Sequence, residues 1–248
     1  MKLNWTIALM CVATLTFVAC KDKNQPDEGG DDPGVDYTPL ISVTDKSVAD
    51  WDKLDPSNVA VSKITPKALW GGVHMVKVYA DEVYINWMMV FDPAKYAKHR
   101  DIDVMHLFMD IDHSTKTGGY FDLFKDACAD LMFEGSLFTE TGDPINYSPS
   151  VSEWKGEVNG EGWESWTLLS TMTGESQFVN DSTIEARLMI EKIPGKDKFN
   201  KEGFGFGITL TQNFEPATVG FLPQTDSPNG ENIGRLDMLY VKFTKTMK

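Results

Sequence analysis

The residues STIEARLMIEKI, Ser182 to Ile193, place Ile184, Ala186, Leu188 and Ile190 at every second position, with Glu185, Arg187, Met189 and Glu191 between them. A period of two marks a strand with one buried face and one largely wet face. The next apolar stretch, FGFGITLT, sets Phe204, Phe206, Ile208 and Leu210 on one side and only glycines and threonines on the other. Glycines on a strand face signal that something lies close against it, another strand or a ligand. VHMVKVYADEVYINWMMVF predicts a hairpin of residues 73–79 and 83–91 around Ala80-Asp81-Glu82. Further strands are predicted over 104–111, 130–138, 151–155, 163–169 and 236–243, and only the short stretches 93–98 and 120–128 suit a helix. Strands do not alternate with long amphipathic helices, which argues against a parallel α/β fold and for an all-β, antiparallel β-sandwich.

The N-terminus reads differently. Lys2 precedes an apolar stretch, Trp5 to Ala19, that is short for a membrane span, and Phe17-Val18-Ala19 leads into Cys20. This looks like a bacterial lipoprotein signal peptide over residues 1–19, with Cys20 acylated as the first mature residue; an ordinary secretory signal with an incidental Cys20 is the alternative. Residues 20–39 are rich in Asp, Gly and Pro and nearly free of large apolar groups, the composition of a flexible tether. Their acidic residues, just after the cysteine, resemble the surface-export signal of Bacteroidota lipoproteins. The expected location is therefore the outer membrane, held by the acyl chains and facing the cell surface, with a periplasmic spacer as the other reading.

Residues 40–248 fit one β-domain long enough to bury a core. Cys11 and Cys20 fall in the leader region, so Cys128 is the domain's one thiol, which excludes an intrachain disulfide or a Cys-based zinc site there. A formal net charge of −14 repels nucleic acid and suits neutral or cationic partners.

Chemistry is first suggested by HLFMDIDHSTKTGG, where a strand runs into an Asp-rich loop. A calcium EF-hand would need Gly and Glu where Thr115 and Phe121 stand. An Asp-x-Asp phosphatase would need helical crossovers and a parallel sheet, which the pattern lacks. A calcium site of another kind remains open, with Asp110, Asp112 and Asp122 as candidate ligands and Asp126 and Asp130 nearby. The competing reading is turn chemistry, with Asp112 and Ser114 bonding to the backbone and Gly118-Gly119 supplying positive φ.

ISVTDKSVADWDKL, YADEVYINWMMVFD, LFMDIDHSTKTGG and IEARLMIEKIPG follow one another in the order and spacing of segments in family 9 carbohydrate-binding modules and related DOMON-like β-sandwiches, which the chain resembles over most of the domain. It departs from them at Thr44-Asp45-Lys46, where Asp-Gly is frequent, and at His113, where Asn is frequent. The resemblance implies the sandwich, and a structural calcium ion as scaffolding; no other cofactor is required.

A sugar site needs exposed aromatic platforms with polar groups beside them. Trp163 and Trp166, after Gly160-Glu161-Gly162, are the preferred platforms; Trp154 and Trp70 also stand by glycines, and Arg235 could bind hydroxyls. Trp51 and Trp87 suit a core better. The expectation is a non-catalytic binding protein for glycans, holding them for a neighbouring transporter or hydrolase, with a surface adhesion protein that binds a protein partner as the alternative. Two lesser readings are a haem-binding domain, using Met and His among His74, Met75, Met88, Met89, His106 and Met109, and a glycan hydrolase using carboxylate pairs such as Asp130 with Glu134 or Glu157 with Glu161. No catalytic signature such as Gly-x-Ser-x-Gly or His-Glu-x-x-His is present.

Overall fold

The structure is a computed structural model that describes residues 37–62, 73–91, 104–119, 129–139, 145–212, 215–222 and 238–245. The expected signal peptide, Cys20, most of the tether, the stretches 93–98 and 120–128, and Trp70, Asp122, Asp126 and Arg235 lie outside the described residues.

The fold is all-β. Its strands are β1 (Ala60–Val61), β2 (Val73–Asp81), β3 (Tyr84–Phe91), β4 (Val104–Asp110), β5 (Leu131–Gly135), β6 (Ser150–Trp154), β7 (Trp166–Thr171), β8 (Glu175–Asn180), β9 (Thr183–Met189), β10 (Gly203–Gln212), β11 (Glu215–Leu222) and β12 (Leu239–Thr244). They run in the order β7-β6-β5-β4-β10-β12-β2-β3-β9-β8, with β1 added to β2 and β11 to β10. Every neighbour is antiparallel except β12 and β2, whose parallel contact is only Phe243 with Ala80 and Thr244 with Asp81. The strands thus form one mixed path rather than two separate antiparallel sheets. The path curls so that its halves share a core. Trp87 of β3 meets Tyr147 edge-on at 5.8 Å and Phe206 of β10 at 6.2 Å.

The period-two reading places the core correctly. Ile184, Ala186 and Leu188 of β9 and Phe204, Phe206, Ile208 and Leu210 of β10 all belong to the main buried cluster. Asp81 closes the β2–β3 turn by accepting the N–H groups of Val83 and Tyr84, each at 2.8 Å. The strand expected over 163–169 starts later, because Gly162, at φ 104°, leads into a single 3-10 turn over Trp163–Ser165 before β7.

On the second strand faces one expectation is corrected, and of the two alternatives open for the other, neighbouring protein rather than a ligand fills the space. The outward face of β9 is not wet: Glu185 is fully buried. Residues 41–54 lie across β2, β3 and β9, and Ile41, Val43, Trp51 and Leu54 form a second buried cluster with Tyr79 and Met88. The glycine face of β10 is occupied by protein. A Cβ on Gly205 would come within 3.0 Å of Asp110 Cβ and of Met238 Sδ.

Candidate functional site

Strand β4 alternates Met105, Leu107 and Met109 into the main core with His106, Phe108 and Asp110 on the opposite face. Asp110 therefore leaves the strand on the outer side, where the chain must turn. His113 takes φ 52° and Gly118 φ 68°, both left-handed conformations, which favour glycine and which a histidine adopts at some cost. The loop is bonded from within and from outside. Ser114 N–H donates to Asp110 Oδ1 at 3.3 Å, Thr117 Oγ1 to Asp112 Oδ1 at 2.9 Å, and Ile111 N–H to Asp130 Oδ2 at 2.9 Å. Asn200 N–H holds the Ile111 carbonyl at 2.7 Å. The turn chemistry anticipated from sequence is present at Ser114, whose Oγ accepts the Lys116 N–H at 3.1 Å, while Asp112 bonds the Thr117 side chain rather than the backbone.

One carboxylate oxygen from each of Asp110, Asp112 and Asp130 lies within 4.8 Å of the others. Burial pushes the carboxyls of Asp110 and Asp130 up to about 7, and the charge of Asp112 adds to both shifts. Three hard oxygen donors are a set that suits calcium. Asp110 and Asp112 are thus brought together, and Asp130 supplies a third carboxylate.

These raised values set a pH dependence. A carboxyl whose folded pKa exceeds its unfolded one, 3.8 for Asp, costs stability once it must ionise. In chelator the thermal midpoint should therefore fall as pH rises from about 4 through about 7, and Asp110→Asn should flatten that slope. Calorimetric scans across pH would check it; an unchanged slope in the variant would remove Asp110 as a cause.

Beside the loop opens a cavity of about 420 Å³. Its lining combines the carboxylates Asp112, Asp130 and Glu153, the apolar Trp154, Val158 and Leu169, and the lysines Lys116 and Lys198. Glu153 bridges Lys155 at 2.5 Å and Lys198 at 2.8 Å, and the two lysines hold its carboxyl below the usual range. Lys198 arrives on the 3-10 turn Lys196–Lys198, which follows Gly195 at φ 78°.

Trp154 joins this cavity to an aromatic ridge. Its indole Nε1 donates to the Glu157 carbonyl at 2.9 Å, and its ring meets Trp166 edge-on at 5.2 Å. Trp166 in turn lies 5.8 Å from Phe108, and Trp163 stands edge-on to His106 at 5.1 Å. His106 is buried, with Nε2 2.9 Å from Glu134 Oε2, and this contact keeps the Glu134 carboxyl below its usual value. The structure thus gathers Trp154, Trp163 and Trp166, which are spread over thirteen residues of sequence. They differ in role: Trp154 is buried as a wall, Trp166 is half-buried, and Trp163 is 46% exposed. Trp51 and Trp87 are buried.

Of the groups named for haem, the His74 side chain lies outside the described residues. Met89 and Met109 are in the main core, Met75 and Met88 pack with residues 41–54, and His106 is engaged by Glu134. Residues not singled out as binding groups from sequence are Phe108, Glu153 and Lys198; their signal was strand parity for Phe108 and none for the Lys198–Glu153 pair, 45 residues apart. No family model matches this sequence, and no curated protein sequence matches it significantly.

Proposed function

We propose that the protein is a non-catalytic glycan-binding protein, anchored to the outer membrane through acylated Cys20 and facing the cell surface. The observation that carries this reading is the line Trp154–Trp166, with exposed Trp163 alongside, beside a cavity of mixed carboxylates and lysines. An indole face covers the apolar CH face of a sugar ring, and carboxylates and ammonium groups bond its hydroxyls. Calcium at Asp110, Asp112 and Asp130 would act as scaffolding, fixing the loop that walls the cavity. A neighbouring transporter or hydrolase would receive the captured glycan.

The test is a glycan panel probed with residues 38–248, with and without chelator. Binding should change tryptophan fluorescence and weaken at least about tenfold in Trp163→Ala, whose side chain is too exposed to hold the fold together. A blank panel would sink the reading.

One observation favours a protein partner as the second reading. Strand β7 ends the strand path, carries no charge, and leaves Leu168 63% and Leu169 43% exposed. Such an edge is suited to pairing with another chain. Retention of a partner by the wild type and its loss in Leu168→Lys, with the glycan panel blank, would favour it.

A further inference from the structure

Glu185 is fully buried and, among the described residues, makes a single side-chain hydrogen bond. From residues 41–54, Trp51 Nε1 donates to its Oε1 at 2.6 Å, and its Oε2 is buried with no hydrogen-bond partner. Its neighbours across the ladder are Met88 on β3 and Gln177 on β8, neither charged. Gln177 Nε2 is turned away to the Phe178 carbonyl. A neutral carboxyl in this place leaves one polar atom unmet, whereas a carboxylate leaves a charge unmet, which costs more.

The surrounding charges reinforce the difference. Residues 41–54 bring Asp45 and Asp50, both of which raise the Glu185 carboxyl, while Lys53 is held by Asp50 at 2.7 Å. On β9 itself, Arg187 is taken by Glu175 at 2.8 Å and stacks over the Tyr84 ring at 4.4 Å. Strand β2 contributes Tyr79, Lys77 and Asp81 on this side, with Tyr79 packed in the same cluster. Among the described residues Glu185 makes no ion pair.

We infer that the Trp51–Glu185 contact is a pH-operated latch: residues 41–54 stay docked on β2, β3 and β9 while the Glu185 carboxyl is neutral, and release as it ionises. Burial, the largest cause, lifts this carboxyl from 4.5 to about 7, with the Trp51 hydrogen bond opposing the rise. Docking is therefore at full strength below about 4.5 and is lost progressively as pH rises through about 7. The full swing weakens docking roughly a hundredfold. Release would add about 45 Å of extended chain to whatever precedes the domain.

Hydrogen exchange of the full-length protein reads this directly, with protection in residues 41–54 corrected for the intrinsic pH dependence of exchange. Protection there should fall by up to roughly a hundredfold between pH 5 and pH 9, and more than in β10. Glu185→Gln, which cannot ionise, should abolish the difference between the two regions. Trp51→Phe keeps the apolar packing but removes the donor that steadies the carboxylate, so its midpoint should move to higher pH. Flat protection in the wild type, a slope that survives Glu185→Gln, or a Trp51→Phe midpoint that stays or falls would each overturn the latch.

Discussion

Gly119→Ala is expected to destabilise the protein by about 2–3 kcal/mol, the upper part of the range for forcing atoms into a packed interior. A Cβ there would sit 2.0 Å from Trp154 Cε2 and 2.3 Å from Nε1, distances that no contact tolerates. Backbone relief is restricted, because Gly119 N–H is bonded to the Ala129 carbonyl at 3.1 Å and Asn159 N–H to the Gly118 carbonyl at 3.1 Å. The indole must move instead. It is boxed in by Gly156 and Gly160, where a Cβ would lie 2.7 Å and 3.2 Å from Trp154 Cζ2. Leaving its place also breaks the bond to the Glu157 carbonyl, worth about 1 kcal/mol. Urea unfolding checks the stability, and near-ultraviolet circular dichroism the tryptophan environment. A midpoint unchanged in urea would show that Trp154 has a second resting place, and the cavity wall would not be rigid.

This glycine also shows where sequence reasoning reached and where it stopped. The pair Gly118-Gly119 suggests positive φ at both positions, yet only Gly118 uses it; Gly119 is small because an indole from 35 residues later fills the space. Strand parity is local, so the β2–β3 hairpin, β4, β10 and the core side of β9 were legible from alternation alone. What covers the other side of a strand is not local. Glu185 reads as solvent-facing until residues 41–54, more than 130 positions earlier, are laid across it. The same limit applies to the acidic trio: Asp110 and Asp112 share a loop, but Asp130 joins them because its N–H pairs with the Met109 carbonyl at 2.8 Å. Strands β8 and β11 lacked a clear pattern, ESQFVN for want of apolar residues and EPATVGFL for its proline and glycine. The joining of two antiparallel runs into one path rests on two residue pairs, Phe243 with Ala80 and Thr244 with Asp81, too few to leave a signature.

The largest loss should follow Trp87→Ala, about 3–5 kcal/mol. Trp87 is fully buried, and it is the side chain through which β3 touches both Tyr147 and Phe206, so its removal opens a void between the halves of the curled sheet. Tyr147 cannot swing in to fill that void, since its hydroxyl donates to the Phe133 carbonyl at 3.0 Å and its own N–H is held by Ser176 Oγ at 2.9 Å. Trp87→Phe separates volume from polarity. The indole Nε1 is buried with no hydrogen-bond partner, so phenylalanine relieves an unmet donor while giving up part of the ring. That variant should cost about 1 kcal/mol or less in equilibrium unfolding. A loss as large as that of Trp87→Ala would mean that the donor has a partner the packing does not reveal. Both variants lie on the inner face, whereas Trp163 and Trp166 lie with Phe108 and His106 on the other side of β4. Trp87→Phe should therefore leave glycan binding at the ridge unchanged while Trp163→Ala weakens it and spares stability, so opposite pairings of the two losses would show that the ridge and the core are one unit.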